Sequence, residues 1–231
     1  MNYERSYSLT RRTFLANAGL LAASAGMIPP ALAANAAAPM SPDAALAKLK
    51  QGNATFTRLM TTTRTQTIAE RAALGKGQAP FACILSCADS RTTPEIVFNQ
   101  GLGDIFVVRV AGNVATPTER ASLEYAAAVL RSPLIVVMGH SSCGAVKAAI
   151  DLTKGESFPG DIQALARLIE PAAQATKGQS GDWTTNATLQ NVRLTMQNLE
   201  SSPVLAELLQ SGELKITGAY YHIDTGIVDF L

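Results

Sequence analysis

The sequence predicts an α/β fold: a mainly parallel β-sheet flanked by helices, with an N-terminal helical arm and a C-terminal hairpin on one edge. Three observations carry this. Four runs, "FACILS", "DIFVVRVAG", "SPLIVVMGH" and "LKITGAYYHID", are rich in β-branched and aromatic residues and apolar on both faces, the mark of strands covered on both sides. Helical patterns separate them, which is what parallel neighbours need for their crossovers. The last run is followed by "TGIVDFL", so the chain should turn back around Asp224, Thr225 and Gly226 and finish as an edge hairpin.

The elements read in order as follows. Residues 1–33 are an export segment: "TRRTFLANAGLLAASAGMIPPALA" has paired Arg11 and Arg12, an uncharged Ala-rich stretch, and small residues at Ala31 and Ala33. The paired arginines before Phe14 and Leu15 resemble the signal of the twin-arginine route, so a periplasmic location is expected. Its apolar core falls short of the ~20 residues a membrane span needs. Residues 34–42 should form a low-complexity tether, and 43–231 a single domain. In that domain Ser41 and Pro42 start a helix running to about Leu59, with Ala45, Leu46, Leu49, Phe56 and Leu59 on one face. A second helix spans Thr67 to Leu74 and ends at Gly75. "TERASLEYAAAVL" is helical, with Ala121, Tyr125, Ala128 and Val129 at helical spacing. Helices fill about Asp151 to Pro203, broken at "TKGQSGDW", and Leu189, Val192, Met196 and Leu199 form a core-facing stripe.

Charge narrows the partners. Without residues 1–33 the chain keeps 16 Lys and Arg against 17 Asp and Glu, which gives no reason to expect nucleic acid or an anionic membrane. No later apolar run is long enough to span a bilayer. The three cysteines, Cys83, Cys87 and Cys143, are too few and odd in number for a disulfide framework, and metal ligation accounts for them better.

Two clusters carry chemistry. In "CILSCADSR" alternation puts Cys87, Asp89 and Arg91 on one side at the end of an apolar strand, where open α/β sheets place their sites. Alone, that pattern also fits a buried thiol beside a structural ion pair. In "GHSSCGAV", His140 and Cys143 sit three apart after another apolar strand, with Gly139 and Gly144 expected to allow the bend. The helix from Gly144 should favour the Cys143 thiolate. Together Cys87, His140 and Cys143 make a Cys₂His set suited to one tetrahedral Zn²⁺ per subunit with a fourth position to spare. Cys83 lies ~13 Å upstream of Cys87 in an extended strand and reads as a core thiol. His222 reads as a surface residue, and Arg109 and Asp104 as interface or loop scaffolding.

"SCADSR", "GLGDIFVVRVAGN", "GHSSCGAV", "LKQGNATF" and "LKITGAYYHIDTG" together resemble the bacterial and plant β-class carbonic anhydrases, from about Leu46 to Leu231. The resemblance implies zinc on Cys87, His140 and Cys143, with carbon dioxide and bicarbonate as substrates. It implies that Asp89 either closes the site as a fourth ligand or pairs with Arg91 and frees zinc for water. It implies that Gln78 orients bicarbonate across a subunit interface, and that Phe106 and Tyr125 line the substrate pocket. If Gln78 and Tyr125 act across subunits, the active unit is a homodimer or a dimer of dimers. The residue chemistry agrees: zinc lowers the pKa of bound water from about 15.7 to about 7, Asp89 held by Arg91 can orient the resulting hydroxide, and Phe106, Val110 and Ala111 suit an uncharged linear substrate. Two rivals stand beside this: a carbon disulfide or carbonyl sulfide hydrolase on the same scaffold, and a non-catalytic exported zinc-binding or thiol-redox protein.

Overall fold

The computed structural model describes residues 40–59 and 67–231, and Met40–Leu231 form one compact unit. The expected export segment and residues 34–39 of the tether lie outside the described residues. Among the described residues five strands form one sheet: β1 (Ala82–Ser86), β2 (Ile105–Arg109), β3 (Leu134–His140), β4 (Lys215–Tyr221) and β5 (Val228–Phe230), in the order β2-β1-β3-β4-β5. The first four pair in parallel. β5 returns antiparallel to β4, the predicted edge hairpin, with Gly226 at φ 76° in its turn. Among the described residues no helix is long and apolar enough to cross a membrane.

Side-chain alternation divides the core into two layers. Ile84, Val136, Met138, Ala219 and Tyr221 face one way and pack under Ala45 and Leu49 of α1 (Pro42–Thr57). Cys83, Leu85, Ile135, Val137 and Ile216 face the other way, under α4 (Pro117–Glu124), α7 (Trp183–Glu200) and α8 (Pro203–Gln210). Each fully buried aliphatic side chain contributes about 1.5–3 kcal/mol. Three more helices, α2 (Ile68–Leu74), α3 (Pro94–Val97) and α5 (Gly144–Thr153), follow the signals in their sequence or the strand ends that launch them. α6 (Asp161–Ala175) joins α5 and α7 in a third cluster with Cys87, Val114, Cys143 and Ile169.

The helical arm is fastened at two adjacent residues. A Cβ on Gly52 would stand 1.8 Å from the Phe98 carbonyl oxygen, so only glycine lets α1 come this close. Next to it, buried Asn53 donates from Nδ2 to the carbonyls of Val97 (3.1 Å) and Gly226 (2.8 Å), and accepts at Oδ1 from the Val228 amide (3.0 Å). One side chain thus ties α1 to α3 and the hairpin.

One expectation needs correction, and two others hold with added detail. Leu59 does not share the α1 face: it follows the helix end at φ 57° and is 91% exposed. α2 forms as expected, with a capping box between Thr67 and Glu70 and Gly75 at its end, yet none of its residues is buried. In α4 and the π-helical turn that prolongs it (Tyr125–Val129), the stripe Ala121, Tyr125, Ala128 and Val129 faces outward. A second apolar stripe of Leu123, Ala126, Ala127 and Leu130 packs on the sheet instead, because its leucines fill the core better than Tyr125 with its hydroxyl. In α7 the expected stripe faces inward, with Val192 and Leu199 buried.

Candidate metal centre

β1 and β3 are adjacent parallel strands, with Ser86 opposite Met138, so their carboxyl ends lie side by side. Cys87 is the first residue beyond β1 and His140 the last of β3. The chain then bends at Ser142 (φ 56°), rather than at the glycines expected to allow it, and Cys143 caps the N-terminus of α5. Cys87, His140 and Cys143 are all buried, and their ligand atoms lie within 4.8 Å of one another.

The donor set fits a metal ion. His140 Nδ1 donates to the Ser141 carbonyl at 2.9 Å, which leaves Nε2 as the lone-pair nitrogen. Nε2 is buried without a hydrogen-bond partner, an arrangement that is costly unless something accepts the lone pair. The Cys87 sulfur accepts the Gly112 amide at 3.2 Å. The neighbouring Cys143 thiol, helped by the Gly112 amide, outweighs burial and draws the Cys87 thiol well below its ordinary value. Cys143 moves the opposite way, because it donates to Cys87 and is itself buried. The helix N-terminus does aim the amides of Ala145 and Val146 at Cys143, but the Cys87 partner outweighs them, so Cys87 is the more acidic thiol.

Asp89 and Arg91 form a fork. Arg91 Nε and Nη2 donate to Asp89 Oδ1 (2.9 Å) and Oδ2 (2.7 Å), and the Arg91 amide adds a bond to Oδ1 at 3.0 Å. Arg91 therefore holds the Asp89 carboxyl far below the usual range, and Asp89 stands outside the converging ligand group. Strand alternation is not the cause, since β1 stops at Ser86; a turn at Ser90 and Arg91 brings the pair together.

Several supports were invisible as motifs. Arg109, read as interface or loop scaffolding, donates to the carbonyls of Cys87 (3.0 Å) and Asp89 (2.5 Å). Thr92 Oγ1 donates to the same two carbonyls at 3.0 and 2.9 Å. Ser141 is held by the Tyr221 carbonyl and the Ile223 amide, which fixes the carbonyl that His140 uses. The parallel register that places Arg109 beside Ser86 is the only sequence-level signal for any of these.

Of the predicted substrate residues, Ala111 stays at the site, directly before Gly112 in a short 3₁₀ turn. Gln78 lies beyond the opposite end of β1, lining a cavity of about 610 Å³ with Leu74, Leu102 and Asp104. Phe106 pairs with Cys83, ~13 Å along the strand from Cys87. Tyr125 is half-exposed on the outward face of its turn. Cys83 is a core thiol as read, and its burial raises it to about 12. His222 bonds Asp229 at the surface at 2.9 Å.

The protein-family model for carbonic anhydrase matches residues 82–228, which contain all three metal-facing side chains. The chain belongs to the carbonic anhydrase family. It is 39% identical over 191 residues to a carbonic anhydrase of Mycolicibacterium smegmatis, covering 82% of this chain and 93% of that one. Carbonic anhydrase 2 of Mycobacterium tuberculosis is 38% identical over 188 residues, covering 80% and 91%. Among solved structures, the β-carbonic anhydrase CcaA superposes with a TM-score of 0.66 at 26% identity, covering 80% of this chain and 94% of that one. The Coccomyxa β-carbonic anhydrase in complex with acetazolamide gives 0.63 at 25%, covering 89% and 86%. The fold and these relatives place the chain in the β class of carbonic anhydrases, which use zinc, and Cys87, His140 and Cys143 are positioned to hold it.

Proposed function

We propose that this carbonic anhydrase interconverts carbon dioxide and bicarbonate with Asp89 and Arg91 as its working pair beside the zinc ligands Cys87, His140 and Cys143. The observation that carries the reading is the buried, unpartnered His140 Nε2 converging with two cysteine sulfurs. Zinc held by Cys87, His140 and Cys143 would supply an activated water near neutral pH, since such a metal lowers the pKa of bound water from about 15.7 to about 7. Asp89 remains ionised; its Oδ1 accepts both the Arg91 side chain and the Arg91 amide, while Oδ2 accepts Nη2 alone and keeps a lone pair, so it can accept a hydrogen bond from the attacking oxygen and orient it. Arg91 occupies both oxygens and so keeps the carboxylate from acting as a fourth ligand. Arg109 and Thr92 hold the backbone of both residues, while Val110, Ala111 and Val114 provide the apolar wall for a linear uncharged substrate. Stopped-flow hydration of carbon dioxide by the zinc-loaded protein tests this. Turnover of carbonyl sulfide without turnover of carbon dioxide would overturn it.

A homodimer, or a pair of dimers, completes the site in this reading. Gln78, Phe106 and Tyr125 lie away from the metal ligands of their own chain, and α2, none of whose residues is buried, supports a further covering surface. One solved neighbour, from Sordaria macrospora, is described as tetrameric. Mixing Gln78→Ala chains with Cys143→Ala chains should restore activity that neither has alone, and no restoration would refute the shared site. Export through the twin-arginine route rests on Arg11 and Arg12, and replacing both by Lys should leave the chain in the cytoplasm on fractionation.

A further inference from the structure

We propose that Asn191 is a positioning residue for the metal ligand Cys87, acting through the backbone of Gly112; this rests on the metal reading above. Asn191 is only 3% exposed in the middle of α7, on a helix face otherwise used for packing. A leucine would fill that place with no polar group to satisfy, so a buried amide there has a partner to serve. Its Nδ2 donates to the Gly112 carbonyl at 2.8 Å, across 79 residues of sequence. The amide of the same Gly112 donates to the Cys87 sulfur.

Both backbone groups of Gly112 are engaged. It sits at φ 74° and ψ 15°, and a Cβ would stand 2.3 Å from Ile169 Cδ1, so a side chain is both strained and sterically excluded. Its two backbone groups are its anchors: the N–H on the sulfur and the C=O on Asn191. When Asn191 lets go, rotation about the glycine carries the N–H off the sulfur. A hydrogen bond to a ligating sulfur withdraws charge from it and fixes its direction, which are the two ways an outer partner tunes a metal. Asn191 therefore sets how strongly Cys87 donates to the ion while touching neither substrate nor metal.

The test uses cobalt(II) in place of zinc in the full chain. The sulfur-to-cobalt charge-transfer band of the near ultraviolet should move to lower energy in Asn191→Leu, because the sulfur lone pair is no longer stabilised. Zinc affinity, measured against a chromophoric chelator, should fall about tenfold. Val192→Ala, next on the same helix and buried against the sheet, should lower stability yet leave band and affinity unchanged. If Asn191→Leu does not fold, Asn191→Ala is read the same way. An unshifted band with wild-type affinity overturns the proposal, as does an equal shift in Val192→Ala. A wild-type protein with no sulfur-to-cobalt band overturns the metal reading itself, and this proposal with it.

Discussion

Asn53→Ala should cost about 3 kcal/mol of stability, although Asn53 touches no ligand. The variant deletes three hydrogen bonds, to Val97, Gly226 and Val228, at 2.8–3.1 Å. Each is worth about 1 kcal/mol net, and stranding the buried partners adds to the loss. All three partner residues are buried, so water does not readily replace the missing side chain. Against a typical total of about 5–15 kcal/mol, this is a large fraction. Urea unfolding at fixed protein concentration measures it; with a slope of about 2 kcal/mol/M the midpoint should fall by about 1.5 M. The loss should centre on the hairpin, so hydrogen exchange at the Val228 amide should accelerate before that of β3. A midpoint shift below about 0.3 M would refute the view that Asn53 joins arm and hairpin.

Cys143→Ala should lose both zinc and activity, and zinc retained at full occupancy would remove Cys143 from the ligand set. Asp89→Asn should keep zinc by metal analysis yet lose about 10²-fold in turnover, as expected when a residue that orients a proton is neutralised. The Asp89 carboxyl is depressed by Arg91, so whatever the pair contributes is fully present above the ordinary carboxyl pKa of about 3.9 and is lost only as pH falls through the lower folded value. Carbon-13 titration should accordingly show no inflection for Asp89 between about pH 4 and pH 8, whereas an ordinary inflection near 4 would mean that Arg91 does not hold it. Cys83, raised to about 12 by burial, should resist iodoacetamide at pH 8 until the protein is unfolded, and rapid labelling of the native chain would place it at the surface.

β1, β3 and β4 were legible because both faces are buried, and the candidate metal ligands because they gather at the carboxyl ends of β1 and β3. "FACILS" and "SPLIVVMGH" announce β1 and β3, and adjacency of parallel strands then brings Cys87 to His140. Facing was harder to read. The stretch from Pro117 to Leu130 carries two apolar stripes, and only packing against the sheet selects the one through Leu123. Leu59 looked like a member of the α1 face because a periodic pattern does not mark where a helix stops. The Asp89–Arg91 pair was rightly expected for a reason that does not hold, since i and i+2 meet across a turn as readily as along a strand.

What stayed hidden in the sequence was the set of groups that act through the main chain. Arg109 and Thr92 hold carbonyls, Ser141 offers one, Gly112 offers an amide, and Asn191 restrains Gly112. A carbonyl or an amide is present at every residue, so no motif records which of them faces a sulfur or an imidazole. Their positions follow from register: Ser86 opposite Arg109 puts a guanidinium beside the end of β1, and His140 opposite Tyr221 puts the Ser141 amide on the Tyr221 carbonyl. The identity of the candidate metal ligands is therefore written in the side chains, while their direction is written in how the strands pair. That separation explains why the chemistry could be inferred from "SCADSR" and "GHSSCGAV", whereas Asn191, 48 residues beyond the last ligand, could be found only from the fold.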